Sequence, residues 1–214
     1  MSAGDEPEEF PTPPVALVAD DRHWVSWSAP VWRLHEHKPG RPGWDELRHY
    51  GPVDGQRFDP HDPPTGDYKP QGVQYVAGTA LVALTETFQR TRAIPVHNAS
   101  LWLYGWTPAR PMRLLDIRGD FGAANGASAT FNAADKATTR EWARAVHRQW
   151  PDMDGLLYTA KVSGGDAIAL FANAAGIPVW PDRPAYARAL TDPAARPDFE
   201  AVAAQMHWEL DYGV

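Results

Sequence analysis

The stretch Gly72-Val-Gln-Tyr-Val-Ala-Gly-Thr-Ala-Leu-Val-Ala-Leu-Thr-Glu-Thr-Phe88 decides the fold. Val73, Tyr75 and Ala77 alternate with Gln74 and Val76, the pattern of a strand, whereas Leu81, Leu84 and Phe88 keep helical spacing from Thr79 onward. The period changes from two to about 3.6 across Gly78, so a strand should turn directly into a helix. On a helical wheel Thr79, Val82, Ala83 and Glu86 share a face apart from the Leu81, Leu84 and Phe88 stripe. Glu86 need not point into the core, and its small neighbours leave room beside it. The chemistry is expected at this junction.

Outward from it, Ser100–Trp106, Arg113–Ile117, Gly155–Ala160 and Ala167–Phe171 read as strands, and His23–Ser28 and Val31–Leu34 as two more pieces broken at Pro30. Lys161-Val-Ser-Gly-Gly-Asp166 joins the last two strands like a hairpin connection. Helices are predicted near 44–49, over 79–90, from a cap at Asn132 to Gln149 with Pro151 as the stop, and over 198–210. Short strands and roughly four helices in this irregular order do not make a doubly wound sheet. The fold class read from them is α+β, a single domain with a mixed, split β core flanked by helices.

The chain has 214 residues, 43% of them apolar and 22% charged, enough for one sizeable core. Residues 1–14 collect acids and prolines and are expected to form a disordered tail, with the domain spanning 15–214. The formal charge of −7 argues against nucleic acid as a direct partner, although it leaves room for a local arginine pocket. No cysteine, no apolar run of membrane-spanning length and no leader pattern are present, so a cytoplasmic protein without disulfides is expected. Most of the ten tryptophans are read as core. His35, Glu36 and His37 have no metal-site spacing and are read as solvated, and no metal is expected.

Phosphate-loop, dinucleotide, metalloprotease and nucleophile-elbow motifs are absent from the sequence. What remains is Arg33 between Trp32 and Leu34, Arg57 in Gly55-Gln-Arg-Phe-Asp-Pro60, Tyr75 and Glu86. Arg33 reads either as a snorkelling or paired arginine or as a phosphate ligand, and Arg57 either as a surface arginine in a turn or as a diphosphate fork. The set suits a ligand carrying both phosphates and a flat ring, with a carboxylate for ribose hydroxyls or a cationic sugar.

Taken in order, Val31-Trp-Arg-Leu34, Gly55-Gln-Arg-Phe-Asp-Pro60, Tyr75 through Glu86, and Asp154-Gly-Leu-Leu-Tyr158 through Phe171 resemble the RES domain family. The resemblance covers nearly all of the chain after residue 30. It implies an ADP-ribosyltransferase-like fold, NAD as substrate, and a toxin paired with an antitoxin protein encoded nearby. It places the family arginines at Arg33 and Arg57, the tyrosine at Tyr75 and the glutamate at Glu86.

The family serine falls on Ala160, with Thr159 as the nearest hydroxyl and Ser163 in the loop beyond. The resemblance therefore implies an NAD-cleaving enzyme, either a glycohydrolase or phosphorylase or an ADP-ribosyltransferase, that releases nicotinamide. Glu86, Tyr75 and Arg33 would be catalytic, and Arg33, Arg57, Tyr75, Thr159 and Ala160 would line the substrate. The alternative is a catalytically weakened or inactive RES-like protein that binds NAD or ADP-ribose. Either reading requires Arg33, Arg57, Tyr75 and Glu86 to meet at one cleft.

Overall fold

The computed structural model describes residues 11–128, 131 and 134–213. In chain order these form β1 (Trp24–Trp27), β2 (Val31–Glu36), β3 (Tyr50–Gly51), β4 (Gly66–Asp67), β5 (Val73–Ala77), α1 (Ala80–Phe88), β6 (Ala93–Pro95), β7 (Leu101–Trp106) and β8 (Met112–Asp116). There follow α2 (Phe121–Ala124), α3 (Lys136–Gln149), β9 (Gly155–Thr159), β10 (Asp166–Phe171), β11 (Tyr186–Ala189), α4 (Arg196–Met206) and β12 (Glu209–Asp211).

Eight strands make one mixed sheet in the order β1-β8-β9-β10-β5-β2-β7-β11, in which only β8 and β9 run parallel. The short pairs β12-β6 and β3-β4 stand outside it. Pairing is long everywhere except between β2 and β5, which share the single register pair Trp32↔Ala77. The core is therefore split at that seam, with five strands on one side and three on the other.

The two sheet faces bury different groups. Leu84 and Phe88 of α1, Trp142 and Val146 of α3, and Phe199 of α4 all pack on one face, with Val73, Ala77, Leu156 and Tyr158 beneath them. The opposite face carries Val31, Val76, Tyr104, Leu114, Leu157 and Ile168, and it is covered by Trp44, Leu47, Val179 and Trp180 from non-helical segments. Helices thus lie on one face and irregular chain on the other. This is a mixed fold with a large sheet flanked by helices.

Several local expectations need correction. No helix forms at 44–49, because that segment is spent on covering the sheet, and Arg48 instead makes a bridge to Val73. Helix α3 is capped by Asp135, whose Oδ1 accepts from the N–H groups of Ala137 (2.7 Å) and Thr138 (3.1 Å); the expected cap at Asn132 lies outside the described residues. The last helix ends at Met206, since His207 adopts a left-handed conformation (φ 54°), and Leu210 belongs to β12. The tryptophans are core as expected: Trp106 and Trp142 are fully buried, and the others are half-buried and packed against the core. His35 is buried rather than solvated, and burial together with the Arg33 charge brings its imidazole down to about 4. Residues 1–10 of the expected tail lie outside the described residues, and the carbonyl of Pro11 accepts a bond from the Trp142 indole (2.9 Å).

Asp154 fixes how β8, β9 and the end of β10 meet. Its carboxylate, 3% exposed, accepts two bonds from Arg110 (2.7 and 2.6 Å) and one from the backbone N–H of Arg113 (2.8 Å). The pairing of β10 and β9 leaves no side-chain space beside it, since a Cβ on Gly155 would lie 2.2 Å from the Ala169 carbonyl oxygen. Removing the carboxylate strands a half-buried guanidinium and a part-buried N–H. Asp154→Ala should lower the unfolding free energy by roughly 3 kcal/mol in urea denaturation, well above the loss expected of an exposed ion pair.

Candidate functional site

The site is built from four pieces of chain on the helical face. Glu86 lies in the last turn of α1, which begins at a Thr79 cap whose Oγ1 accepts from the Val82 N–H (3.2 Å). The stripe expected on this helix is broader than its periodicity suggested. Val82 and Ala83 are as buried as Leu84 and Phe88, because the turn from β9 to β10 lies against them. That turn is tight: the N–H of Ala160 bonds the Gly165 carbonyl (2.8 Å), and the N–H of Gly164 bonds the Ala160 carbonyl (2.9 Å). A Cβ on Gly165 would sit 2.5 Å from Val82 Cγ2, so glycine allows the turn to approach the helix.

The carboxyl of Glu86 is pushed up from its ordinary value by burial, against the opposing pull of the Arg57 charge and of a hydrogen bond from the Lys161 backbone N–H. Its Oε1 is buried and has no hydrogen-bond partner among the described residues. Tyr158, buried on β9 beside it, has a hydroxyl pushed up by burial and by the nearby Glu86 charge. Tyr75 on β5 donates from its hydroxyl to the carbonyl of Arg57, and burial pushes that hydroxyl well above its usual range.

Arg57 is held by an irregular loop rather than by regular structure. Phe58 next to it is wholly buried, takes a left-handed backbone conformation (φ 47°) and packs its ring 4.8 Å from that of Tyr158. Few non-glycine residues adopt that conformation, so the loop holds Phe58 there at some backbone strain. Asp59 follows, also wholly buried, and accepts from Arg48 (2.8 Å), the Val53 N–H (3.0 Å), the His61 N–H (3.2 Å) and the His61 ring. Burial alone would raise this carboxyl, but the His61 and Arg48 bonds hold it well below the usual carboxylate range. From α3, Arg140 reaches the carbonyls of Val53 (3.4 Å) and Asp54 (3.3 Å) and ties the front of the loop down.

Tyr75, Arg57, Glu86 and Ala160 thus share one face and one neighbourhood. Arg33 does not join them, and this corrects the convergence expected of it. Strand alternation sends Trp32 and Leu34 to the helical face and Arg33 to the other, opposite Tyr104. There Arg33 donates to the carbonyls of Gly43 (3.1 Å) and Trp44 (2.9 Å), and burial brings its guanidinium down to about 10. Gln74 grips the same Trp44 carbonyl (2.8 Å), while its neighbour Tyr75 faces the site. Alternation likewise turns Thr159 away from the side that carries Tyr158 and Ala160.

Tyr158, Asp59, His61 and Arg140 were not singled out in the sequence. Tyr158 and Asp59 lie inside motifs quoted above, yet a short run of residues does not reveal which side chain anchors and which one faces a ligand. Two prominent concavities lie elsewhere: one of about 480 Å³ between Pro13–Val15 and α3, the other of about 350 Å³ lined by His35, His37, Arg41 and Trp44. Among the described residues no group of three or more His, Asp or Glu is arranged to hold a metal, and no helix is long and apolar enough to cross a membrane.

Comparison with known families matches the RES domain over residues 30–192, which includes every element of the site. The chain belongs to the RES domain family. Among solved structures it is similar to the MbcT toxin in the crystal structure of the M. tuberculosis MbcT–MbcA toxin–antitoxin complex, with a TM-score of 0.53 and 18% identity over 84% of this chain and 93% of that one. No curated protein matches the sequence.

The raised carboxyl of Glu86 has a stability consequence. A carboxyl whose folded value lies above its unfolded one stabilises the fold fully at pH below the unfolded value, and that contribution is lost as pH rises through the folded value. Relative to Glu86→Gln, the wild-type protein should therefore lose stability as pH rises from the ordinary carboxylate range upward, with the difference becoming constant once Glu86 is ionised in the fold. Paired denaturation curves across pH measure this, and a difference that does not change with pH would contradict the assignment.

Proposed function

We propose that this RES domain cleaves the bond between nicotinamide and ribose in NAD and acts in the cytoplasm as the toxin of a toxin–antitoxin pair. The observation that carries the reading is the desolvated Glu86 carboxyl, with one oxygen unpartnered, beside the positive charge of Arg57 and the ring of Tyr75. Breaking the bond from ribose to a pyridinium nitrogen releases a neutral base and moves the positive charge onto the sugar, and a carboxylate held in a poorly solvated place stabilises such charge strongly. Arg57 favours the ionised form of that carboxyl against the effect of burial and offers a fork for a diphosphate, and Tyr75 gives a flat surface for the ring. This reading gives up the requirement that Arg33 meet the other three, since its guanidinium ties down the chain that covers the other side of the sheet. Water, phosphate or a protein side chain can each take up the ADP-ribosyl group.

Family membership and the likeness to a toxin captured with its antitoxin support the biological part of the proposal. An antitoxin protein encoded beside this one would cover the Glu86 site. One observation favours a second reading, in which the protein binds NAD or ADP-ribose without turning it over: Ala160, at the place of the family serine, is 1% exposed and offers only a methyl group.

Nicotinamide release from NAD, measured with and without phosphate and candidate protein acceptors, separates the two. The enzyme reading expects turnover that falls by a factor of about 100 or more in Glu86→Gln, the loss typical of removing a charge-stabilising group. It also expects weaker NAD binding in Arg57→Ala and growth arrest on expression that the neighbouring gene relieves. Binding without release above the Glu86→Gln level, whatever the acceptor, would leave only the second reading.

A further inference from the structure

Among the described residues, two buried oxygens on the two sides of the contact between α1 and the β9–β10 turn lack partners. One is Glu86 Oε1, and the other is Ser163 Oγ in the turn from β9 to β10. They approach the contact from its two sides. The turn donates the Lys161 N–H to the Glu86 carboxyl, and Ser163 Oγ lies 3.9 Å from where a Cβ on Gly165 would stand, the same point that is 2.5 Å from Val82 Cγ2. Val82 precedes Glu86 by four positions, so the two lie one above the other on α1. Neither oxygen bonds the other, and each is left without the partner that buried polar groups in native proteins nearly always have.

One oxygen of this pair accepts a hydrogen bond and the other can donate one. A ligand hydroxyl seated between them would satisfy both, by giving its proton to Glu86 Oε1 and taking the Ser163 O–H on its oxygen. A ketone, an ether or a phosphate oxygen satisfies at most one of them. We propose that Ser163 is a substrate-binding residue that, together with Glu86, holds one hydroxyl of the ribose next to the bond that breaks. It supplies from the turn the hydroxyl that Ala160 lacks. The inference rests on the NAD-cleaving reading above and assigns Ser163 the recognition of a sugar hydroxyl within it.

A serine kept for a ligand leaves a signature that a serine kept for the fold does not. Removing an unpartnered buried hydroxyl leaves the free protein no less stable, whereas the same change removes a bond to the ligand. Ser163→Ala should therefore melt at the wild-type temperature or higher in the absence of NAD, while its kcat/KM for NAD falls roughly tenfold to a hundredfold. Ser163→Thr, which keeps a hydroxyl, should recover most of that loss. With NAD analogues lacking the 2′- or the 3′-hydroxyl of the nicotinamide ribose, the Ser163→Ala penalty should vanish for one analogue and persist for the other.

Unchanged kcat/KM for NAD in Ser163→Ala, an equal penalty on NAD and both analogues, or a lowered melting temperature without NAD would each overturn the assignment while leaving NAD cleavage standing. Wild-type protein that releases no nicotinamide overturns the underlying reading, and this one with it.

Discussion

Side chains of a strand must alternate between its two faces, and in this protein that constraint acts through β5. The strand lies inside the large sheet, buried on both sides, so it has no solvent side to which an unneeded residue can be turned. Gln74 goes to one face, where its amide holds the carbonyls of Trp44 (2.8 Å) and Glu46 (3.0 Å) and accepts from the Trp180 indole (2.9 Å). Tyr75 goes to the other, where it holds the carbonyl of Arg57. Adjacent residues therefore organise two separate irregular segments on opposite sides of the sheet. One segment covers the core and the other builds the candidate site.

The same division explains the two arginines. Arg33 and Arg57 look alike in sequence, each beside an aromatic residue in a motif of the family. Arg33 is carried by a strand, and its direction is fixed by the register that pairs it with Tyr104. Arg57 is carried by a loop whose direction has to be enforced residue by residue, through the Phe58 ring, the buried Asp59 carboxylate and the Arg140 guanidinium. A buried carboxylate that accepts from two side chains and two backbone N–H groups is an expensive anchor to leave half-made, because each donor would be stranded on its loss. Its full set of bonds gives the loop a single arrangement.

What could be read from the sequence follows from where local pattern decides structure. The change of period at Gly78 located the strand, the turn and the helix that carries Glu86, and the apolar runs at 155–160 and 167–171 located two neighbouring strands. Local pattern failed where long-range packing decides. Trp44–His49 has the spacing of a helix but is needed to cover Tyr104 and Trp106, and β6, β11 and β12 are too short to announce themselves. For the candidate site, residue type and order named Tyr75, Arg57 and Glu86, which the fold gathers on one face. The position of Arg33 was not readable, since sheet order determines which face a strand residue shares with which helix. The anchoring pair Asp59 and His61 was hidden for a related reason: burial turns two ordinary polar residues into a structural node, and burial is a property of the whole fold.

The seam between β2 and β5 has a mechanical meaning. Across the seam the two rafts of strands share one register pair, and α1, which packs on β2 as well as on β5 and β10, is the element that spans it. Tyr75, Tyr158, Ala160 and the turn that meets Glu86 all ride on the five-stranded raft. The smaller raft carries Arg33 and the aromatic stack of Trp44, Tyr104 and Trp102. Because α1 packs on β2, a shift of the smaller raft reaches the helix that carries Glu86.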